Sequence, residues 1–213
     1  LKEPLRKIQI FNDVIKEKYL KENVEAVAYL ERSIHSSARM SRLINDVLEY
    51  SQLSVAAAFQ PTNLNVLIQE LLSDFDEIIR GKQATLHIEE LPEIDVIPSR
   101  IRQVFQNLIS NALKFTVTGK PPVISIRAER IKEKEIDSDP SPTGEFCRIV
   151  VQDNGIGFDE KFLQRIFIIF QRLNDRSSYE GTGIGLAIAK KNLSVAEDQF
   201  KAGLAAERDV VLA

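Results

Sequence analysis

The stretch "EGTGIGLAIAKK", residues 180–191, concentrates more potential chemistry than any other part of the chain. Gly181, Gly183 and Gly185 alternate with other residues and run directly into an Ile/Leu/Ala segment bearing two lysines. Glycines free to adopt positive φ, followed by a helix start, leave backbone N–H groups unpaired and pointing outward, which suits an anion such as phosphate. The spacing differs from the two common phosphate loops. A GxGxxG loop needs glycine where Leu186 stands, and a Walker loop ends on Gly-Lys-Ser/Thr.

Two other constellations could meet such an anion. In "SRIRQVFQNLISNALKFT" the apolar Val104, Phe105, Leu108, Ala112 and Phe115 share one helical arc, and Asn107, Asn111 and Lys114 fall at i, i+4 and i+7 on the next. An amide oxygen is a hard neutral ligand for Mg²⁺, which takes its other ligands from water and phosphates, and a lysine adds positive charge for those phosphates. The same three residues could equally cover a solvated face, although asparagine is a mediocre helix former. In "VVQDNGIGFDEKFL", Asp153 closes a β-rich run beside Gly155 and Gly157. Its carboxylate could accept hydrogen bonds from an exocyclic amine, or simply form the Asx-turn for which "DNG" is suited. Phe167 and Phe170 precede a polar stretch, residues 171–182; they read as core, or as anchors of a lid.

These residues must be positioned by elements legible in the pattern. The 213 residues are 44% hydrophobic and 28% charged with a formal net charge of −3, which describes a globular chain and gives no basic stripe for nucleic acid. Cys147 is the single cysteine, so no internal disulfide forms, and a small buried thiol in a cytosolic protein is expected. The N-terminus opens on "LKEPLRK" and no apolar run reaches about 18 residues, so no membrane contact is expected within residues 1–213, with an anchor elsewhere left open.

Residues 1–60 hold no glycine, and apolar residues at helical spacing predict two long helices breaking near "KEKYLKEN". Such a pair cannot enclose a core alone: it joins a second copy in a four-helix bundle, or packs on its own second domain. Pro61 and a capping Thr62 or Asn63 mark the boundary to a new apolar helix, "LNVLIQELLSDFDEII". Beyond it, β-rich runs at "ATLHIEEL", "PVISIRAERI" and "FCRIVVQD" alternate with helical stretches at 98–115 and 159–170, and polar residues 132–145 read as a hairpin loop. The second domain is therefore expected to be an α/β sandwich with helices on one sheet.

The order and spacing of these motifs resemble the histidine kinases of two-component signalling. "NLISNALKF" is similar to the family's N box, "DNGIGF" to its first glycine box, "IFIIFQRL" to its F box and "EGTGIGLAIAKK" to its second glycine box. "LKEPLRKIQIF" and "SSARMSRLINDVLEYSQL" look like the two helices of the dimerisation and phosphotransfer domain. The resemblance covers residues 1 to about 191 and implies an α+β chain: a two-helix dimerisation hairpin over 1–60, a Bergerat-type ATP-binding α/β sandwich over 61–191, and an atypical tail over 192–213. It implies Asn111 as the Mg²⁺ ligand, Lys114 on phosphate and Asp153 on the adenine amine, with Gly155 and Gly157 admitting the adenine. Asn107 lines the same nucleotide site, and Gly181, Thr182, Gly183, Ile184, Gly185 and Leu186 present backbone amides to the phosphates. The implied cofactors are ATP and Mg²⁺, the implied partners a homodimeric copy through 1–60 and a response regulator receiver domain, and the implied setting the cytoplasm.

Three departures qualify the resemblance. The family's acceptor histidine falls two positions before Leu1, so the chain as given is expected to bind ATP without labelling itself there; His35 and His87 are expected at the surface and in packing. The tail "NLSVAEDQFKAGLAAERDVVLA" lacks the glycine-containing strand pair that ends such domains, and helical spacing or disorder fits it better. Asn107 stands where gyrase-like and chaperone-like ATPases carry a water-activating glutamate, and an amide accepts no proton. A histidine kinase core is the reading these residues favour, with a nucleotide-binding pseudokinase module or a water-directed ATPase of the same superfamily as rivals.

Overall fold

The computed structural model describes residues 2–20, 23–52, 58–131, 145–173, 179, 181–201 and 208–212. Two antiparallel helices open it, α1 (Lys2–Tyr19) and α2 (Val24–Gln52), tied across their seam by Asn12 Nδ2 donating to Ser33 Oγ at 2.8 Å and a Lys16–Glu31 ion pair at 2.7 Å. The break falls inside "KEKYLKEN", as the pattern predicts. Within this hairpin Leu5 and Ser37 are buried, while Ile8, Ile10, Phe11, Val14 and Ile15 on α1 and Met40, Val47 and Leu48 on α2 stay exposed.

Next come α3 (Leu64–Ser73) and α4 (Asp76–Gly81). Asn63 caps α3, its side-chain oxygen accepting from the N–H groups of Asn65 and Val66, so the boundary expected at Thr62 or Asn63 is at Asn63. Leu64, Leu67, Ile68 and Leu71 repeat at i, i+3, i+4 and i+7 and are all buried.

Strands β2 (Thr85–Ile88), β4 (Val123–Ile131), β5 (Glu145–Asp153) and β6 (Arg208–Leu212) form a sheet in the order β2-β4-β5-β6, with the central β4–β5 pair antiparallel and both outer pairs parallel. Two short strands, β1 (Gln60–Asn63) and β3 (Glu93–Val96), pair antiparallel in a separate ribbon. Ile124 and Ile126 of β4 and Cys147 and Ile149 of β5 alternate onto the face covered by α3, α5 (Pro98–Lys114) and α6 (Gly185–Lys201), giving the expected two-layer sandwich.

Four expectations change. Residues 159–170 hold one 3-10 turn at Glu160–Phe162, capped by Asp159, followed by turns; Phe170 takes φ 65° and gives its N–H to Gly183, which a helix there would forbid. The tail is helical to Lys201 and then supplies β6, where β-branched Val210 and Val211 pair with the open edge of β5. His87 is exposed rather than packed, whereas His35 is at the surface as expected. Phe170 is exposed as well, against the core reading. The loop expected at 132–145 lies outside the described residues except for Glu145, which begins β5.

Candidate functional site

Helix α5 is the spine of the site. Its start is set by Pro98 in the first turn, where a missing N–H costs nothing, and its buried arc is Ile101, Val104, Phe105, Ile109, Ala112 and Leu113. Asn107, Asn111 and Lys114 stand beside that arc and are half-buried, the border position the spacing predicts. The Asn111 amide makes no side-chain hydrogen bond among the described residues, so its oxygen is available to a ligand.

The glycine loop closes against the same helix at two points. A Cβ placed on Gly185 would lie 2.8 Å from Asn107 Oδ1, and one on Gly181 would lie 2.9 Å from Lys114 Nζ, so neither position has room for a side chain while α5 keeps these rotamers. Lys114 Nζ also sits 4.0 Å over the Phe115 ring. Burial of the ammonium, reinforced by the nearby Arg172 guanidinium, holds the Lys114 pKa below the ordinary 10.5.

Arg172 and Tyr179, neither of them a candidate from the sequence, shape this loop. Arg172 donates to the carbonyls of Tyr179 and Gly181, at 2.5 and 3.2 Å, and so spans the loop from within. Tyr179 packs on Phe115 with ring centroids 5.0 Å apart and the planes tilted by 50°, and donates to the Thr116 carbonyl. Gly183 adopts φ 76°, and a Cβ there would meet the Gln171 carbonyl at 2.7 Å, so this position requires glycine on both counts. The available signal was the Arg in "IFIIFQRL", too common a surface residue to stand out before the loop is seen folded over it.

Asp153 ends β5 with its carboxylate exposed, and Oδ1 accepts the Gly155 N–H at 2.7 Å. The Asx-turn is thus formed, and the other oxygen remains for a donor from outside. Asn154 pins the turn to Val123 and Pro121, and Ile156 donates to the Phe115 carbonyl at 3.0 Å. A Cβ on Gly155 would collide with that carbonyl. Phe115, the C-cap of α5, therefore joins both ends: its carbonyl faces the Asp153 turn and its ring faces Lys114 and Tyr179. Among the described residues no hydrogen bond links Asp153 to residues 181–186; each meets the end of α5 through Lys114 or Phe115.

Thr182, Ile184 and Leu186 divide differently. Ile184 is buried and Leu186 half-buried at the start of α6, while Thr182 donates its hydroxyl to Asp46 of α2 at 2.5 Å. Among the described residues no group of three or more His, Cys, Asp or Glu side chains could hold a metal by itself. Loop amides, a lysine and a neutral amide oxygen together suit a polyphosphate that brings most of its own metal ligands.

Residues 96–202, half of the chain, match the family described as histidine kinase-, DNA gyrase B- and HSP90-like ATPase, and residues 1–54 match the His Kinase A (phospho-acceptor) domain. The chain belongs to the sensor histidine kinases. The chain is 35% identical over 193 residues to cyanobacterial phytochrome A of Nostoc sp., covering 90% of the chain and 24% of that relative. It therefore spans about a quarter of the length of such a relative. Its fold is shared with full-length ShkA in complex with AMPPNP, at 22% identity and a TM-score of 0.61 over 91% of this chain and 38% of that one. The histidine kinase ThkA in complex with the response regulator protein TrrA has the same fold, at 24% identity and a TM-score of 0.55 over 82% of this chain and 50% of that one. Two separate family matches also agree with the two parts of the architecture, helical hairpin and α/β sandwich.

Proposed function

We propose that this histidine kinase binds ATP along α5 and directs the γ-phosphoryl group to a histidine imidazole on the helical hairpin and from there to a receiver-domain aspartate. The observation that carries the reading is the closure of the glycine loop on α5 at Asn107 and Lys114, which puts backbone amides, an ammonium and the start of α6 around one space. Asp153 accepts the adenine amine through the oxygen that Gly155 leaves free, and Gly155 and Gly157 keep the approach open. Lys114 faces the phosphates, and the backbone amides of Gly181 to Leu186 with the positive end of α6 take their charge. Asn111 is the residue that would hold Mg²⁺, with Asn107 lining the nucleotide site beside it, and the ion would neutralise phosphate charge there. Asn107 cannot take a proton from water, which favours transfer to a positioned imidazole over hydrolysis. Such transfer depends on alignment and charge neutralisation rather than on a protein base at the phosphate.

ShkA's AMPPNP and ThkA's response regulator support the nucleotide and the partner by fold likeness. The domain limits that serve this reading are 1–60 for the hairpin, 61–191 for the nucleotide unit and 192–213 for the tail, whose described residues complete α6 and supply β6. Calorimetry with Mg-ATP is the test: Asn111→Ala and Asp153→Ala are each expected to weaken binding at least about tenfold, the loss of one charge-assisted contact. Unchanged affinity in both overturns the site. A chain extended to place a histidine two positions before Leu1 is expected to take label from γ-labelled ATP, and a binding-competent but unlabelled one favours the pseudokinase.

A further inference from the structure

We propose that Asp46 of α2 is a nucleotide-sensitive latch: its carboxylate holds the phosphate loop through Thr182 and competes with the triphosphate, so that nucleotide binding releases the helical hairpin from α6. The inference rests on the nucleotide reading above and adds its regulation. Leu43, Asp46 and Tyr50 fall at i, i+3 and i+7 on one stripe of α2, and all three meet the start of α6. Ile184 and Ile188, 1% and 2% exposed, pack on Leu43 and Tyr50. Lys191 Nζ donates to the Tyr50 carbonyl at 2.9 Å and lies 4.1 Å over its ring. Asp46 brings a carboxylate to this interface, close enough to Glu49 to add to the rise that burial gives its pKa, and accepts from the Thr182 hydroxyl three residues before α6 begins.

An anion is favoured there for the reason that phosphate is: unpaired N–H groups and the positive end of a 17-residue helix. Asp46 and a triphosphate on neighbouring groups of the same loop repel, in a half-buried setting where salt screens poorly. Among the described residues the apolar part of the contact is four side chains, small enough for that repulsion to shift the balance. Linkage makes the effect reciprocal: the factor by which docked α2 weakens nucleotide is the factor by which nucleotide weakens docking. A hairpin held on the loop cannot present an acceptor to the same phosphate, and a released one can.

The test uses the 213-residue chain and Mg-AMPPNP as probe. Asp46→Ala is expected to tighten binding by about fivefold or more. Asp46→Asn, which keeps an oxygen for the Thr182 hydroxyl and loses the charge, is expected to tighten it as well. Asp46 is only partly buried, so both variants keep the wild-type melting transition as a control. Spin labels at Met40→Cys and Lys190→Cys, both exposed sites, on a Cys147→Ser background report the α2–α6 distance. In the chain with Asp46 the distribution is expected to be narrow and to broaden on saturation with nucleotide, and with Asp46→Ala to be broad throughout. Binding that is unchanged or weaker in both Asp46 variants, or a distance that ignores nucleotide, overturns the latch and leaves the nucleotide site standing. No binding by the unsubstituted chain overturns the site itself and the latch with it.

Discussion

Lys114 shows what the site asks of a single residue. Its ammonium is half-buried beside Phe115 and Arg172, and burial first, then the guanidinium, lowers its pKa from 10.5. The unfolded chain therefore binds that proton more tightly than the folded one. The resulting penalty on stability is fully present below the folded pKa and disappears as pH rises from there towards 10.5. Lys114→Met is accordingly expected to raise the melting temperature by a few degrees at neutral pH, with the gap closing in a pH series that approaches 10.5, while nucleotide affinity falls. A constant gap across the series refutes the burial account. The residue types at 107, 111, 114, 153 and in the glycine loop were legible in the sequence because hard-ligand, acceptor and glycine chemistry is carried by residue identity. Arg172, Tyr179 and Asp46 were not, since each acts through backbone carbonyls or a hydroxyl brought near only by folding.

At the scale of elements, strong periodicity translated directly. The i, i+3, i+4, i+7 pattern of α3 is buried residue for residue, and Ile68, with 0% exposure, lies in the middle of the core that α5 and β4 share. Ile68→Ala is expected to cost about 2–5 kcal/mol, read as a lower urea midpoint at unchanged slope. A loss well under about 1 kcal/mol would mean the site collapses freely around the gap. Weakly patterned elements were missed. "QPTN" contains a proline and no strand-forming run, yet it pairs with "EIDV", whose Ile94 and Val96 alternate into the core. The apolar run at 166–170 looks helical, but Phe170 must turn back to Gly183, and one left-handed residue ends any helix there. β6 follows the same logic in reverse: a short β-branched run takes strand form because β5 offers an edge to pair with.

At the scale of the whole molecule, the hairpin leaves two things to explain: the α2 stripe on α6, and the exposed apolar residues of α1 and α2. The contact of α2 with α6 is the within-chain answer to an incomplete two-helix core, and the exposed face is where the bundle alternative predicts a second copy. Phe11 is 62% exposed among Ile8, Ile10, Val14 and Ile15, a surface that a second copy would cover in a four-helix bundle. Sedimentation is expected to show a dimer, and Phe11→Asp a monomer or a dimer weakened at least about tenfold by one buried charge; a monomeric unsubstituted chain would remove the bundle. No helix among the described residues is long and apolar enough to cross a membrane. What the sequence determined by itself was the periodicity of its long helices and central strands, the residue types able to meet phosphate, amine and metal, and the boxes whose order shows the family. These are local: propensity, side-chain chemistry and glycine tolerance are properties of a few consecutive residues. Only the tertiary structure decided that Phe115 joins the two ends of the site, that Arg172 spans the loop and that Asp46 reaches Thr182 from 136 positions away. Contacts between distant segments depend on how packed layers bring them together, and no short stretch of sequence contains that information.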